Sequence, residues 1–274
     1  DLYPSLPFLS VIDTSGARLS PIEWQYLKNT SVDYTACDKS GRPLVSVEFD
    51  GLGHGYNGSQ GYVELVPTGR DPYRAVKMDL KLRLASAVRY PFFVVSYDEA
   101  RPIASDDLTI THAIVGRTLA AKNLNSTVLE RFEHERDLIE SLQGDDQNEF
   151  LQEMVSDAEV ELSIEWDPLA RENARAYGNV WRTEMVESLG SEFLSDPELP
   201  TGGPFEDLDV LRARIVAMPQ ARRVGVRCSI RAKDGTAVVR EAWMRNITGV
   251  HAGGIAGDIA EMLACRAFVE KYAP

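Results

Sequence analysis

Cysteine is scarce in this chain: Cys37, Cys228 and Cys265 are the three in 274 residues, far apart and without metal-ligand spacing. That excludes a disulfide framework and a cysteine-based zinc site, and it fits buried thiols in a reducing cytoplasm. Long apolar runs are missing as well. None approaches the roughly 18 residues that span a bilayer, so no transmembrane segment and no membrane partner is expected. No basic stretch followed by an apolar one opens the chain, so a signal peptide is not expected, and residue 1 is Asp rather than Met, so the natural start is expected elsewhere. Positive charge is short too, with 29 Lys and Arg against 42 Asp and Glu and a net charge of −13. A protein that coats nucleic acid through bulk charge is thereby excluded; a locally basic groove is not. Internal repeats and low-complexity tracts are absent.

What is there is an ordinary globular composition, 44% apolar and 26% charged, in a length that suits one large domain or two modest ones. Much of the acid lies in 130–172 and 184–209. Residues 70–89 run the other way, with Arg70, Arg74, Lys77, Lys81, Arg83 and Arg89 against Asp71 and Asp79.

Turn and cap residues divide the chain. Leu6–Ile12 reads as a short strand and residues 21–28 as a helical turn, with Pro21 at its first position. Strands follow at 31–37 and 43–50, joined by a turn at Lys39-Ser40-Gly41. The glycine-rich 51–69 is a loop, Asp71-Pro72 starts a helix to Val88, and Phe92–Ser96 is a buried strand. Helices are expected at 107–122, 126–142 and 147–156. Val160–Trp166 alternates as a half-buried strand does, and Asp167-Pro168 starts a helix to about 190. Residues 196–205 form a linker rich in proline and glycine, followed by a helix near 206–217. A hairpin of 222–231 with 236–244 turns at Asp234-Gly235, and a helix over 254–272 closes the chain. Met78, Leu80, Leu82 and Leu84 are core positions. The order strand, hairpin, helix, strand implies an α/β fold with a mixed sheet and flanking helices.

The chemistry concentrates between Asp33 and His54. The turn folds Asp33 back beside Glu48, and alternation points Glu48 and Asp50 the same way. Carboxylates this close repel unless a cation or a shared proton intervenes. Mg²⁺ (or Mn²⁺) takes oxygen ligands and keeps several waters, so Asp33, Glu48 and the Phe49 carbonyl suffice as protein donors. A metal so held polarises a phosphodiester for hydrolysis.

In this pattern the chain resembles the PD-(D/E)XK nuclease superfamily, and within it an uncharacterised bacterial branch similar to very-short-patch repair endonucleases. The matching residues are Asp33-Tyr34, Glu48-Phe-Asp50-Gly51-Leu-Gly-His54, Asp79 with Lys81 or Arg83, and the apolar strand 91–95, over roughly residues 5–100. The resemblance implies a restriction-endonuclease-like mixed sheet with flanking helices in residues 1–105. A mainly helical region over 106–200 and a hairpin-plus-helix α/β region over 201–274 follow. It implies a metal-dependent endonuclease acting on nucleic acid, DNA in the first instance, with Asp33 and Glu48 as metal ligands, Asp50 as a further metal ligand or a water-orienting group, and His54 facing the same pocket. Asp50 stands where the superfamily usually has lysine, so Lys81 is expected to reach in from its helix. The usual helix before the first strand is expected upstream or replaced by another segment.

Arg74 and Lys77, in register with Lys81, form a ridge expected to contact nucleic-acid phosphates. The alternative is a catalytically inactive nuclease-like module that binds nucleic acid or, through the C-terminal region, a protein partner. His112, His134 and His251 read as structural. The glycine-rich 249–257 lacks the Lys-Ser/Thr of a phosphate loop and reads as a turn into the last helix.

Overall fold

Two antiparallel hairpins and one crossover helix build the central sheet. The structure, a computed structural model, describes residues 1–49, 56–57, 61–62, 74–97, 104–164, 167–195, 224–247 and 252–272. In chain order come β1 (Leu2–Pro7), α1 (Phe8–Val11), α2 (Pro21–Lys28), β2 (Ser31–Cys37) and β3 (Pro43–Phe49). Then follow β4 (Tyr56–Asn57), β5 (Gly61–Tyr62), α3 (Arg74–Ala87), β6 (Phe92–Tyr97) and α4 (Ala104–His134). The remainder is α5 (Arg136–Ser141), α6 (Asp145–Ile164), α7 (Pro168–Arg182), β7 (Val186–Ser195), β8 (Val224–Ala232), β9 (Ala237–Ile247) and α8 (Ala252–Tyr272).

Seven strands join in the order β1-β2-β3-β6-β9-β8-β7, and β4 pairs with β5 alone. The sheet is mixed. β6 lies parallel to β3, the connection that a helical crossover such as α3 makes possible, and every other pairing is antiparallel. Strands from the first hundred residues, the middle and the last fifty thus share one sheet.

Helices cover both faces, so the central strands are buried on both sides and read as continuous apolar runs. On one face, Val45, Val47, Phe49, Phe93 and Val95 pack with Ile110 and Ile114 of α4, Val180 of α7, and Ile259 and Phe268 of α8. On the other, Phe92 and Val94 pack with Phe8, Leu27 and the α3 residues Met78, Leu80, Leu82 and Leu84. The four α3 positions are core, as their spacing implies. Complete burial of side chains such as Phe92 and Phe93 stabilises by about 1.5–3 kcal/mol each. The edge-to-face contact of Phe8 with Phe92, centroids 6.2 Å apart, adds to this.

Four readings of the chain need correction. The apolar run Leu6–Ile12 is split: β1 ends at Pro7, and Phe8–Val11 turns into α1 so that Phe8 and Val11 enter the core. Val160–Ile164 is the last turn of α6 rather than a strand, because the helix begun at Asp145 continues through the alternating residues. The helix from Pro168 stops at Arg182, and Val186–Ser195 becomes the edge strand β7, whose ladder to β8 compensates for its polar sequence. The expected break near residues 122–126 is absent: α4 runs unbroken for 31 residues. Within 51–69, β4 and β5 form a small hairpin. The linker at 196–205 and the helix at 206–217 lie outside the described residues.

Candidate functional site

The β2–β3 hairpin is held by its turn. Asp38 Oδ1 accepts hydrogen bonds from the Ser40 amide (2.8 Å), the Ser40 hydroxyl (2.6 Å) and the Arg42 amide (3.0 Å). Those bonds hold the Asp38 carboxyl below the usual carboxylate range. Gly41, at φ +83°, takes the left-handed conformation that the turn requires. The register that follows pairs Tyr34 with Val47 and Thr35 with Ser46. Asp33 and Glu48 flank the last pair, Tyr34 with Val47, at the open end of the hairpin.

The α3 face of the sheet is polar near the hairpin and stitched together. The hydroxyls of Thr35 and Ser46 lie 2.9 Å apart, and Ser46 also meets the Tyr90 hydroxyl at 3.0 Å. Burial pushes the Tyr90 phenol above its ordinary value, against the pull of the Ser46 bond. At the open end, Asp33 Oδ2 accepts the Phe49 amide at 2.8 Å and so ties β2 to the last residue of β3.

Lys81 reaches the same place from α3. Its Nζ donates to Glu48 Oε1 at 2.7 Å and to the Ser31 carbonyl at 2.7 Å. Lys81 is 4% exposed and Glu48 9%, so this ion pair sits in the interior, where a charge is tolerated only when matched. One residue row runs across three strands, from Glu48 to Val94 to Arg245. Arg245 therefore faces the same side two strand spacings from Glu48, about 10 Å away.

Glu48 and Lys81 are thus paired, and Asp33 is tied to the residue that follows Glu48. Asp50 and His54 lie outside the described residues, as does the side chain of Arg74. Lys77 does not share a ridge with Lys81: its Nζ lies over the Tyr26 ring, 5.6 Å from the centroid, while Lys81 turns inward. Among the described residues no group of three or more His, Cys, Asp or Glu side chains is arranged to hold a metal ion. His112 and His134 are exposed; His134 lines a cleft of about 720 Å³ with Glu130, Arg131, Glu135, Glu153 and Asp157. The three cysteines are free and buried.

Sequence reasoning passed over two features here. One is Arg245, whose signal was its β9 strand, because only the pairing with β6 puts it in the Glu48 row. The other is Glu23, fully buried on α2 and paired with Arg83 of α3. Ser20-x-x-Glu23 is a capping box: the Ser20 amide donates to Glu23 Oε2 at 2.8 Å, and the Glu23 amide to Ser20 Oγ at 3.3 Å. The pattern was legible; its ion pair across to α3 was not.

A second, half-buried network lies on the opposite layer. Arg117 of α4 donates through Nε to Asp167 Oδ2 (2.6 Å) and through Nη2 to Asp258 Oδ2 (2.5 Å). Asp167 also caps α7 through the amides of Leu169 and Ala170. Burial raises the Asp258 carboxyl against the pull of Arg117. This network clamps α4, α7 and α8 together. Among the described residues no helix is long and apolar enough to cross a membrane. Comparison with protein families, with curated proteins and with solved structures finds no match, so the functional reading rests on these residues themselves.

Proposed function

We propose that this protein is a metal-dependent nuclease of the PD-(D/E)XK kind, hydrolysing phosphodiester bonds in DNA on a restriction-endonuclease-like sheet. The observation that carries the proposal is the pairing of Glu48 with Lys81 at the end of β3, with Asp33 of β2 bonded to the amide of Phe49, the next residue. Carboxylate oxygens are hard donors of the kind Mg²⁺ or Mn²⁺ takes, so Asp33, Glu48 and Asp50 would hold such an ion. A bound ion supplies Lewis-acid polarisation of the phosphate.

The chain's own groups do the rest. Asp33, anchored by the Phe49 amide, fixes the end of β3 next to Glu48. Lys81 carries its positive charge into the site, where it offsets the negative charge that gathers on a phosphate under attack. Arg245, in the Glu48 row, offers a second cation on the same face for an adjacent phosphate. The fold supports the assignment through its parallel β3–β6 pair spanned by α3.

A second reading, an inactive module that binds nucleic acid or a protein, is favoured by one observation: Glu48 Oε1 is already matched by Lys81. Titration with Mn²⁺ separates the two. The nuclease reading expects a saturable site in the wild type that Asp33→Asn and Glu48→Gln lose; a folded wild type that takes up no ion leaves only the binding module.

A further inference from the structure

The outer face of α7 carries an arrangement that the Glu48 site does not use. Leu169, Ala176 and Val180 turn into the core against α4 and α8. The exposed side is ordered in lanes. At 3.6 residues per turn, Arg171, Arg175 and Arg182 fall within about 40° of one another, and Tyr177 and Trp181 within another 40° sector beside them. Ala174 and Gly178 lie between the two.

Each lane has a distinct physical character. Trp181 is 50% exposed and Tyr177 37%, with ring centroids 6.0 Å apart. Large aromatic side chains left in water beside each other on a helix are costly and mark contact surfaces. Arg175 stands 3.9 Å from Glu172, and Arg182 donates to the Asn179 side chain at 3.2 Å. Glycine in a helix interior costs stability relative to alanine. A Cβ at Gly178 would nevertheless meet nothing within 4 Å, so packing inside the protein does not demand it. A helix that keeps a glycine with open space above it leaves room for something outside to approach closely.

We infer that this face of α7 binds single-stranded nucleic acid, with bases stacked on Tyr177 and Trp181 and phosphates along the arginine column. Charge selects the partner class. In a chain of net charge −13, three exposed arginines in one column make a local field for a polyanion. The aromatic lane beside them provides the stacking platform that sequence-tolerant strand binding uses. α7 packs on the sheet face opposite Glu48 and Lys81, in the layer with Val47 and Phe49. The surface is therefore separate from the proposed nuclease site, and the inference stands or falls without it.

The test is fluorescence anisotropy of a labelled oligothymidylate of about 20 nucleotides, titrated with the full-length protein in EDTA at several salt concentrations. Saturable binding is expected, weakened about tenfold by Trp181→Ala. Arg175→Ala with Arg182→Ala should flatten the salt dependence by about 0.7 per lost phosphate contact. Gly178→Gln should weaken binding without lowering the thermal midpoint, which separates a filled surface from a broken fold. Absence of saturable binding overturns the inference and leaves this face to a protein partner. Binding that Trp181→Ala and Gly178→Gln do not change also overturns it, as does competition by polyglutamate at equal concentration of charge.

Discussion

The ammonium of Lys81 lies 2.7 Å from Oε1 of Glu48, 33 residues away in the chain, and both side chains are buried. Removing one member strands the other without its counter-charge. Lys81→Met should therefore destabilise the fold by about 3–5 kcal/mol. The double variant Glu48→Gln/Lys81→Met should recover a large part of that loss, since neither charge then remains. Urea unfolding of the single and double variants measures the coupling; strictly additive losses would show that the pair is not energetically joined.

Gly225 and Gly253 make a contrasting pair. A Cβ at Gly225 would stand 2.5 Å from the Trp243 ring, and Trp243 is buried with its Nε1 donating to Glu241 at 3.3 Å. Gly225→Ala should cost about 1–3 kcal/mol, because the indole cannot move without disturbing the sheet. At Gly253 the obstacle is the ring of Phe193 at 2.7 Å, which is largely in solvent and can swing away. Gly253→Ala should stay within about 1 kcal/mol of the wild type. Equal losses in a chemical-denaturation series would contradict the assignment of Trp243 as the fixed wall.

Much of the site was legible because local rules and tertiary packing agree there. Asp38, Ser40 and Gly41 announce the turn, and its register pairs Tyr34 with Val47. Alternation of Met78, Leu80, Leu82 and Leu84 with polar residues announces a helix buried on two sides. Where packing overrides local pattern, the sequence misleads. Leu6–Ile12 is apolar enough for a strand, yet Phe8 and Val11 reach the core only through the turn of α1. Val186–Ser195 looks too polar for a strand, but pairing along β8 supplies what its side chains do not. Arg245 could not be placed by any local rule, since its neighbour Glu48 is almost 200 residues earlier. The expected Lys77–Lys81 ridge failed because a lysine with a buried carboxylate in reach turns inward.

The thiols make a pH prediction. Burial pushes Cys265 up to about 12 and Cys228 up to about 11, from an ordinary value of 9.0. A group whose native pKa is raised contributes stability that is complete below its unfolded value and is lost as pH rises through the native one. Thermal midpoints should thus fall between pH 9 and about pH 11–12, and Cys265→Ala should flatten that fall. At pH 8 in the native state, a thiol reagent should leave both unmodified until the protein unfolds. Rapid modification of the native protein would contradict their burial.

Cleavage of supercoiled plasmid in Mg²⁺ or Mn²⁺ tests the central claim most directly. The account predicts nicking that EDTA stops and that Glu48→Ala, assayed where circular dichroism shows it folded, lowers by at least about a hundredfold. Nicking retained by Glu48→Ala, or a folded wild type that cuts neither plasmid nor single strands in either metal, would contradict it.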